Sequence, residues 1–147
     1  DEGRYVTGVE GCVWTEYMPT PERVEYMAWP RMCAIAESGW SEADKDWDFF
    51  TRRLERHFRV LDLLGVKACR NFFCPYIEFH PDTAHDKVVT ISADLPDSEI
   101  RYTLDGSEPG PQSPLYSVPF VINRSQTVKA VLVRDGRIMG ESKTKKY

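Results

Sequence analysis

The chain has 147 residues, of which 41% are hydrophobic and 29% are charged, and its net charge is −4. This balance is typical of folded domains and gives no electrostatic reason to expect nucleic acid or an anionic membrane surface as a partner. No apolar run approaches the ~20 residues that are needed to cross a bilayer, so no membrane span is expected. The chain opens with Asp1-Glu2 rather than with Met or an apolar leader, and we therefore expect further residues to precede it.

The first predicted elements are a strand and a helix. The short apolar stretch Val9–Trp14 predicts a strand. Thr20 followed by Pro21 indicates the start of a helix, with the threonine as its N-cap. Apolar residues then recur at helical spacing from Val24 to Glu37. We expect this helix to be heavily buried and to be kinked or broken at Pro30.

A second helix is predicted from about Asp46 to Leu64, with Gly65 ending it. Its apolar residues step by three and four along the chain: Trp47, Phe50, Leu54, Phe58, Leu61 and Leu64. A strand followed by helices is typical of one βα unit of a parallel α/β fold. Because one strand cannot form a sheet, we expect its partner strands to lie outside this chain.

The composition changes near residue 75, where we predict a boundary between two domains, residues 1–75 and 76–147. All four tryptophans precede this point. Beyond it, alternation with period two predicts strands at 88–92, 100–104, 118–122, 127–133 and 137–141. Turn signals such as Asp105-Gly106 and Asp135-Gly136 separate them. Short strands at this spacing predict a small antiparallel β-sandwich.

The spacing of the cysteines and histidines predicts no metal site and no cofactor. The cysteines match no zinc-binding pattern, and the histidines do not follow them in ligand register. An even number of cysteines would permit disulfides in an oxidising compartment, but free, packed thiols are the favoured interpretation for a chain of this length. The cysteines are Cys12, Cys33, Cys69 and Cys74.

Trp14 and Glu16 are the candidate ligand-contacting residues. On an extended strand, side chains two residues apart project to the same face. An indole can pack against the flat face of a pyranose, while a carboxylate accepts hydrogen bonds from its hydroxyls. The simpler alternative is a core tryptophan beside a surface glutamate.

Two further pairs have a structural and a functional interpretation. The charged Arg31 and Glu37 lie on a helix predicted to be buried, which favours ion pairing or hydrogen bonding over catalysis. Tyr102 and Tyr116 could form a platform for a sugar, but aromatic residues of a sandwich core are the favoured interpretation.

Three motifs occur in order in the first half: Val13-Trp14-Thr15-Glu16, Trp29-Pro30-Arg31, and the run from Ala34 to Ser41. In this combination they resemble the end of the catalytic barrel in family 20 glycoside hydrolases, the β-N-acetylhexosaminidases. The run Tyr102–Ser107 is similar to the C-terminal β-sandwich of many bacterial hexosaminidases and chitobiases. The resemblance implies an α+β chain: the last βα unit and closing helices of a (β/α)₈ barrel, followed by a small immunoglobulin-like antiparallel sandwich.

The resemblance also implies an activity. Family 20 enzymes remove terminal β-linked N-acetylglucosamine or N-acetylgalactosamine with retention, and the substrate's own acetamido oxygen is the nucleophile. Trp14 would line the sugar pocket, and Glu16 would accept hydrogen bonds from the outer hydroxyls of the sugar. The family's catalytic Asp-Glu pair lies on an earlier strand. Asp1-Glu2 is the only such dipeptide here, and we do not assign it that role.

Without catalytic residues, this chain is expected to be inactive by itself and to be part of an active longer hexosaminidase. Its expected partners are glycans that contain N-acetylhexosamine, and exposed barrel faces are expected to favour self-association. The family implies a secreted protein, periplasmic or extracellular. The alternative is a non-catalytic carbohydrate-binding or structural β-sandwich module with a helical N-terminal adaptor. An independent single-domain enzyme is disfavoured, because no nucleophile-base pair is visible.

Overall fold

A computed structural model describes residues 5–41, 44, 46–82 and 86–147. The chain divides into two compact units, one ending at Cys69 and one spanning Arg70–Tyr147. The division falls a few residues before residue 75, and the assignment of 1–75 and 76–147 to particular domains stays a prediction. The helices are α1 (Pro21–Ala28), α2 (Arg31–Trp40) and α3 (Trp47–Leu63), and the strands are β1 (Tyr76–Pro81), β2 (Asp86–Ser92), β3 (Glu99–Thr103), β4 (Phe120–Asn123), β5 (Thr127–Arg134), β6 (Arg137–Ile138) and β7 (Lys143–Lys146). The predicted α+β class is confirmed.

The start of α1 and its separation from α2 follow the sequence signals. The side chain of Thr20 accepts a hydrogen bond from the backbone N–H of Arg23 at 3.3 Å, as an N-cap does. The predicted break is confirmed, since α1 ends at Ala28 and α2 begins after Pro30, which cannot donate a helical hydrogen bond. The predicted heavy burial is wrong, because Ala28 is the one buried residue in these two fully described helices. The other apolar residues of these two helices are half-buried or exposed.

The strand predicted at Val9–Trp14 is absent from the described residues. Residues 6–14 have no regular secondary structure and are exposed. A strand is defined by its hydrogen-bonded neighbours, and this unit supplies none for it. The structure likewise gives no view of a barrel, so the barrel assignment remains a proposal.

Helix α3 packs through the apolar stripe that the sequence predicts. Asp46 caps its N-terminus by accepting the N–H of Phe49 at 3.0 Å. Four apolar residues of the stripe are buried, together with Thr51: Phe50, Leu54, Phe58 and Leu61. The two ends of the stripe, Trp47 and Leu64, are exposed instead. Gly65 adopts φ +73°, which favours glycine, directly after the helix and confirms the predicted ending.

The second unit contains two antiparallel sheets. One has the order β1-β2-β4. In the other, β5 is central: β3 pairs with one edge, while β6 and β7 pair with the other. Four predicted strands are confirmed with shifts of one or two residues at their ends, while the strand predicted at 137–141 is limited to Arg137–Ile138. β1 and β7 were missed, because β1 lies where a domain crossover was expected and β7 (Lys-Thr-Lys-Lys) has no apolar alternation.

The two sheets contribute to one hydrophobic core. Its buried members are Val89, Ile91, Ile122, Val128 and Ala130. Tyr102 stacks on Phe120 with ring centroids 4.9 Å apart, and Tyr116 meets both rings edge-on. These aromatic side chains pack against the core cluster. Tyr102 and Tyr116 are half-buried, which agrees with their favoured interpretation as core and edge aromatics.

The Asp105-Gly106 signal forms a tight turn. The carboxylate of Asp105 accepts hydrogen bonds from the backbone N–H of Ser107 at 2.9 Å and from its hydroxyl at 2.6 Å. Gly106 adopts φ +80°. The turn does not join two neighbouring strands of a simple hairpin, because β3 pairs with β5 rather than with β4. The chain instead returns beside β3, where Leu115 bridges to Arg101.

Glu108 should titrate below its ordinary range because of two donors. The ammonium of Lys129 and the hydroxyl of Ser142 bind its carboxylate, and these hydrogen bonds lower the pKa of Glu108. A carboxyl whose pKa is lowered on folding stabilises the fold above its unfolded pKa, and this stabilisation is lost as the pH falls through the folded pKa. We expect Lys129→Met to raise the pKa of Glu108, measured by carboxyl NMR titration. Lys146→Met on exposed β7 is the control, and an unchanged pKa in Lys129→Met would contradict the assignment.

Candidate functional site

Trp14 and Glu16 lie on a turn rather than on a strand. Trp14 has an extended backbone and directly precedes a single turn of 3₁₀-helix, Thr15–Tyr17, which carries Glu16. The turn is closed by a hydrogen bond from the N–H of Met18 to the carbonyl of Thr15, at 3.0 Å. The predicted geometry, with both side chains on one face of a strand, is therefore not formed here.

Both candidate side chains are accessible to a ligand. Trp14 is 70% exposed, so it is not part of a core within this unit. Glu16 is also exposed. An exposed indole offers an apolar face and an exposed carboxylate offers a hydrogen-bond acceptor, and a bound sugar uses both kinds of group. The assignment of substrate contact to Trp14 and Glu16 stays a prediction.

The charged residues of α2 have structural partners. The carboxylate of Glu37, largely buried, pairs with the guanidinium of Arg53 on α3 at 2.5 Å. The guanidinium of Arg31 donates to the carbonyls of Tyr26 at 3.1 Å and Met27 at 2.8 Å, in the last turn of α1. These contacts agree with the favoured interpretation of Arg31 and Glu37 as structural. Arg53 was missed as a partner, because an exposed-face arginine gives no sequence signal of its contact.

An apolar groove of about 550 Å³ runs between α2 and α3. Aromatic and sulfur-containing side chains dominate its lining, which includes Trp29, Met32, Cys33, Trp40, Phe50 and His57. Burial raises the pKa of the Cys33 thiol, so that the neutral, weakly nucleophilic form is favoured. The groove therefore has the chemistry of a packing surface rather than of a reaction centre.

The described residues give no support for a metal site. Within them, no group of three or more His, Cys, Asp and Glu side chains could hold a metal ion. The helices in the same part of the chain are too short or too polar to span a membrane. Asp1-Glu2, which we did not assign to catalysis, lies outside the described residues.

Two family models match the chain and define its class. Residues 1–43, which include Trp14, Glu16, α1 and α2, match the catalytic domain of glycosyl hydrolase family 20. Residues 89–147, which include β3 to β7, match the family described as Fn3 associated. The first match covers the motifs from which the resemblance was inferred, and the second covers most of the two-sheet unit.

Individual relatives point to the same family. A β-hexosaminidase of Porphyromonas gingivalis is 34% identical over 144 residues, which are 92% of this chain and 18% of that protein. A β-hexosaminidase of Vibrio vulnificus is 53% identical over 89 residues, 59% of this chain and 8% of that protein. A β-hexosaminidase of Akkermansia muciniphila is 42% identical over 57 residues, 38% of this chain and 12% of that protein.

The chain thus spans less than a fifth of the length of these curated relatives. Together, the family models and the relatives confirm the predicted resemblance: the chain corresponds to the C-terminal part of a family 20 hexosaminidase.

Proposed function

We propose that this chain contributes part of the sugar pocket of a longer β-N-acetylhexosaminidase. That enzyme would release terminal β-linked N-acetylglucosamine or N-acetylgalactosamine from glycans by substrate-assisted, retaining catalysis. The observation that carries the proposal is the exposed pair Trp14 and Glu16, which lies within the segment that matches the family 20 catalytic domain. Trp14 would pack on the ring of the bound sugar, and Glu16 would accept hydrogen bonds from its outer hydroxyls.

The first unit would complete a (β/α)₈ barrel, with Val9–Trp14 as its last strand and α1 to α3 as the helices after it. The exposure of large apolar side chains supports this role. Tyr17 is 87% exposed, Trp40 92% and Leu63 88%, which is unusual for residues that are normally removed from water. In a barrel, neighbouring strands would supply the hydrogen bonds that Val9–Trp14 lacks here, and neighbouring helices would cover the apolar surface.

The chain alone would be inactive under this proposal. The adjacent Asp and Glu that orient the acetamido group and transfer the proton would come from an earlier strand. Catalysis requires such groups to be held in a closed pocket with sub-ångström accuracy. The two-sheet unit would be an accessory β-sandwich that supports the barrel, and the enzyme would act in the periplasm or outside the cell.

The proposal is tested by measuring hydrolysis of a chromogenic β-N-acetylglucosaminide. The longer protein and this 147-residue chain are assayed separately. We expect hydrolysis by the longer protein alone. Hydrolysis by the isolated chain would show that it holds a complete site. If the longer protein hydrolysed neither the β-N-acetylglucosaminide nor the β-N-acetylgalactosaminide, the proposed activity would be ruled out.

The isolated chain should self-associate through its exposed apolar residues. Water-exposed Trp40 and Leu63 favour contact between copies, because removing ~100 Å² of apolar surface from water contributes about 2.5 kcal/mol, which offsets part of the entropic cost of association. We expect a light-scattering mass above the 17.0 kDa of one chain, and binding of a hydrophobic dye. Trp40→Ser with Leu63→Ser should reduce both signals, whereas Ile138→Ser in the second unit is the control. A dye-free monomer would contradict the barrel-face interpretation.

A further inference from the structure

The extended segment before Trp14 lies against α2 at two glycines. A Cβ atom on Gly11 would lie 2.0 Å from Cδ1 of Ile35, a residue of α2. A Cβ atom on Gly39, also in α2, would lie 2.8 Å from Cγ2 of Val9. Carbon atoms in favourable contact are roughly 3.5–4.0 Å apart, so neither position has room for a side chain without movement. Each glycine therefore receives a side chain from the opposite element.

Helix α2 is itself fixed to both neighbouring helices. Glu37 binds Arg53 of α3, and Arg31 donates hydrogen bonds to the last carbonyls of α1. The segment from Val9 to Gly11 contacts α2 through the side chains of Val9 and Ile35, each of which lies over a glycine of the other element. A change in that packing would be transmitted along a short stretch of chain to Trp14 and Glu16.

We propose that Gly11 and Gly39 are positioning residues for the sugar-contacting turn. Because Gly11 and Gly39 have no side chains, Ile35 and Val9 can pack directly over them. This packing sets the distance between the extended segment and α2, and therefore the position of Trp14 and Glu16. The role of Trp14 and Glu16 in this inference rests on the proposed function. The contacts of Gly11 with Ile35 and of Gly39 with Val9 are independent of it.

Gly11 offers a compensating variant and the chain offers a matched control. Ile35→Val removes the Cδ1 atom, and the next atom of Ile35, Cγ1, is 3.5 Å from the position of the added Cβ, which is an ordinary contact. Gly11→Ala should thus be tolerated when Ile35 is shortened. Gly8 has no atom within 4 Å of the corresponding Cβ position, so Gly8→Ala tests the loss of glycine flexibility alone.

In the longer protein, Gly11→Ala should raise KM for the chromogenic β-N-acetylglucosaminide by about tenfold or more, since small displacements of binding groups have large effects. We expect kcat to change less than KM, and the melting temperature to stay well above the assay temperature. Adding Ile35→Val should return KM to within about threefold of the starting value, while Ile35→Val alone and Gly8→Ala have little effect. A merely structural role would lower the folded fraction without this selective change in KM.

An unchanged KM in Gly11→Ala, or a raised KM that Ile35→Val does not restore, would overturn the proposal. Absence of hexosaminidase activity in the unsubstituted longer protein would instead refute the proposed function. In that case, NMR of the 147-residue chain tests the contact through the indole N–H resonance of Trp14. The resonance is assigned by its absence from the spectrum of Trp14→Phe. We expect Gly11→Ala to shift this resonance and Ile35→Val to restore it. A resonance that does not move would overturn the contact itself.

Discussion

Under the proposed function, Glu16→Gln in the longer protein should lower kcat/KM for a β-N-acetylglucosaminide by about 10- to 100-fold. The substitution keeps the shape of the side chain but replaces a charged acceptor by a neutral amide. Hydrogen bonds to charged groups contribute about 1.5–3 kcal/mol, and each 1.36 kcal/mol corresponds to a factor of ten in rate. Because the proposed contacts are to the outer hydroxyls rather than to the reacting atoms, we expect most of the loss to be an increase in KM.

The matched control for this prediction is Glu22→Gln. Glu22 is an exposed carboxylate in the first turn of α1, within the same unit and the same family match. Its substitution should leave kcat/KM within about twofold, because surface changes away from special features have small effects. If folded Glu16→Gln had the same kcat/KM as the unsubstituted protein, the proposed contact of Glu16 with the sugar would be contradicted.

Ile122→Ala should destabilise the two-sheet unit by about 2–5 kcal/mol, the range for truncating a buried isoleucine to alanine. Ile122 is 1% exposed and belongs to the core cluster to which both sheets contribute. Its truncation removes buried methyl and methylene groups and leaves a cavity. Chemical denaturation of the chain, followed through the unfolding of this unit, measures the change in the free energy of unfolding.

Ile138→Ala is the control with the same change in chemistry. Ile138 lies on the short strand β6 and is 51% exposed, so less apolar surface is returned to water when its side chain is removed. We expect it to cost less than about 1 kcal/mol. Similar losses for Ile122→Ala and Ile138→Ala would mean that the shared core of the two sheets is not the main source of stability.

The sequence was most informative where local chemistry determines structure. Thr20 caps α1, Pro30 separates α1 from α2, and Gly65 ends α3, because each effect depends on the residue and its immediate neighbours. Strand β2 was predicted for a similar reason, because its buried residues Val89 and Ile91 alternate with half-buried neighbours. β7 was missed because its lysines and threonine show no such alternation.

The features that the sequence did not predict depend on contacts with residues distant in sequence. The motif around Trp14 and Glu16 indicated the family, and the family matches confirm it. The strand Val9–Trp14 is not formed, since its ladder requires neighbouring strands and the described residues of this unit supply none. Gly11 contacts Ile35 and Glu37 contacts Arg53 across elements that are distant in sequence. A local sequence pattern cannot predict such contacts.

The most direct test of the central claim is a crystal structure of the longer protein with N-acetylglucosamine bound. The account predicts the indole of Trp14 against a face of the sugar ring, with a carboxylate oxygen of Glu16 within hydrogen-bond distance of the outer hydroxyls. Val9–Trp14 should then be a strand paired with neighbours from the preceding part of the chain. A sugar bound far from Trp14 and Glu16, or a Trp14 side chain enclosed in a core away from the ligand, would contradict it.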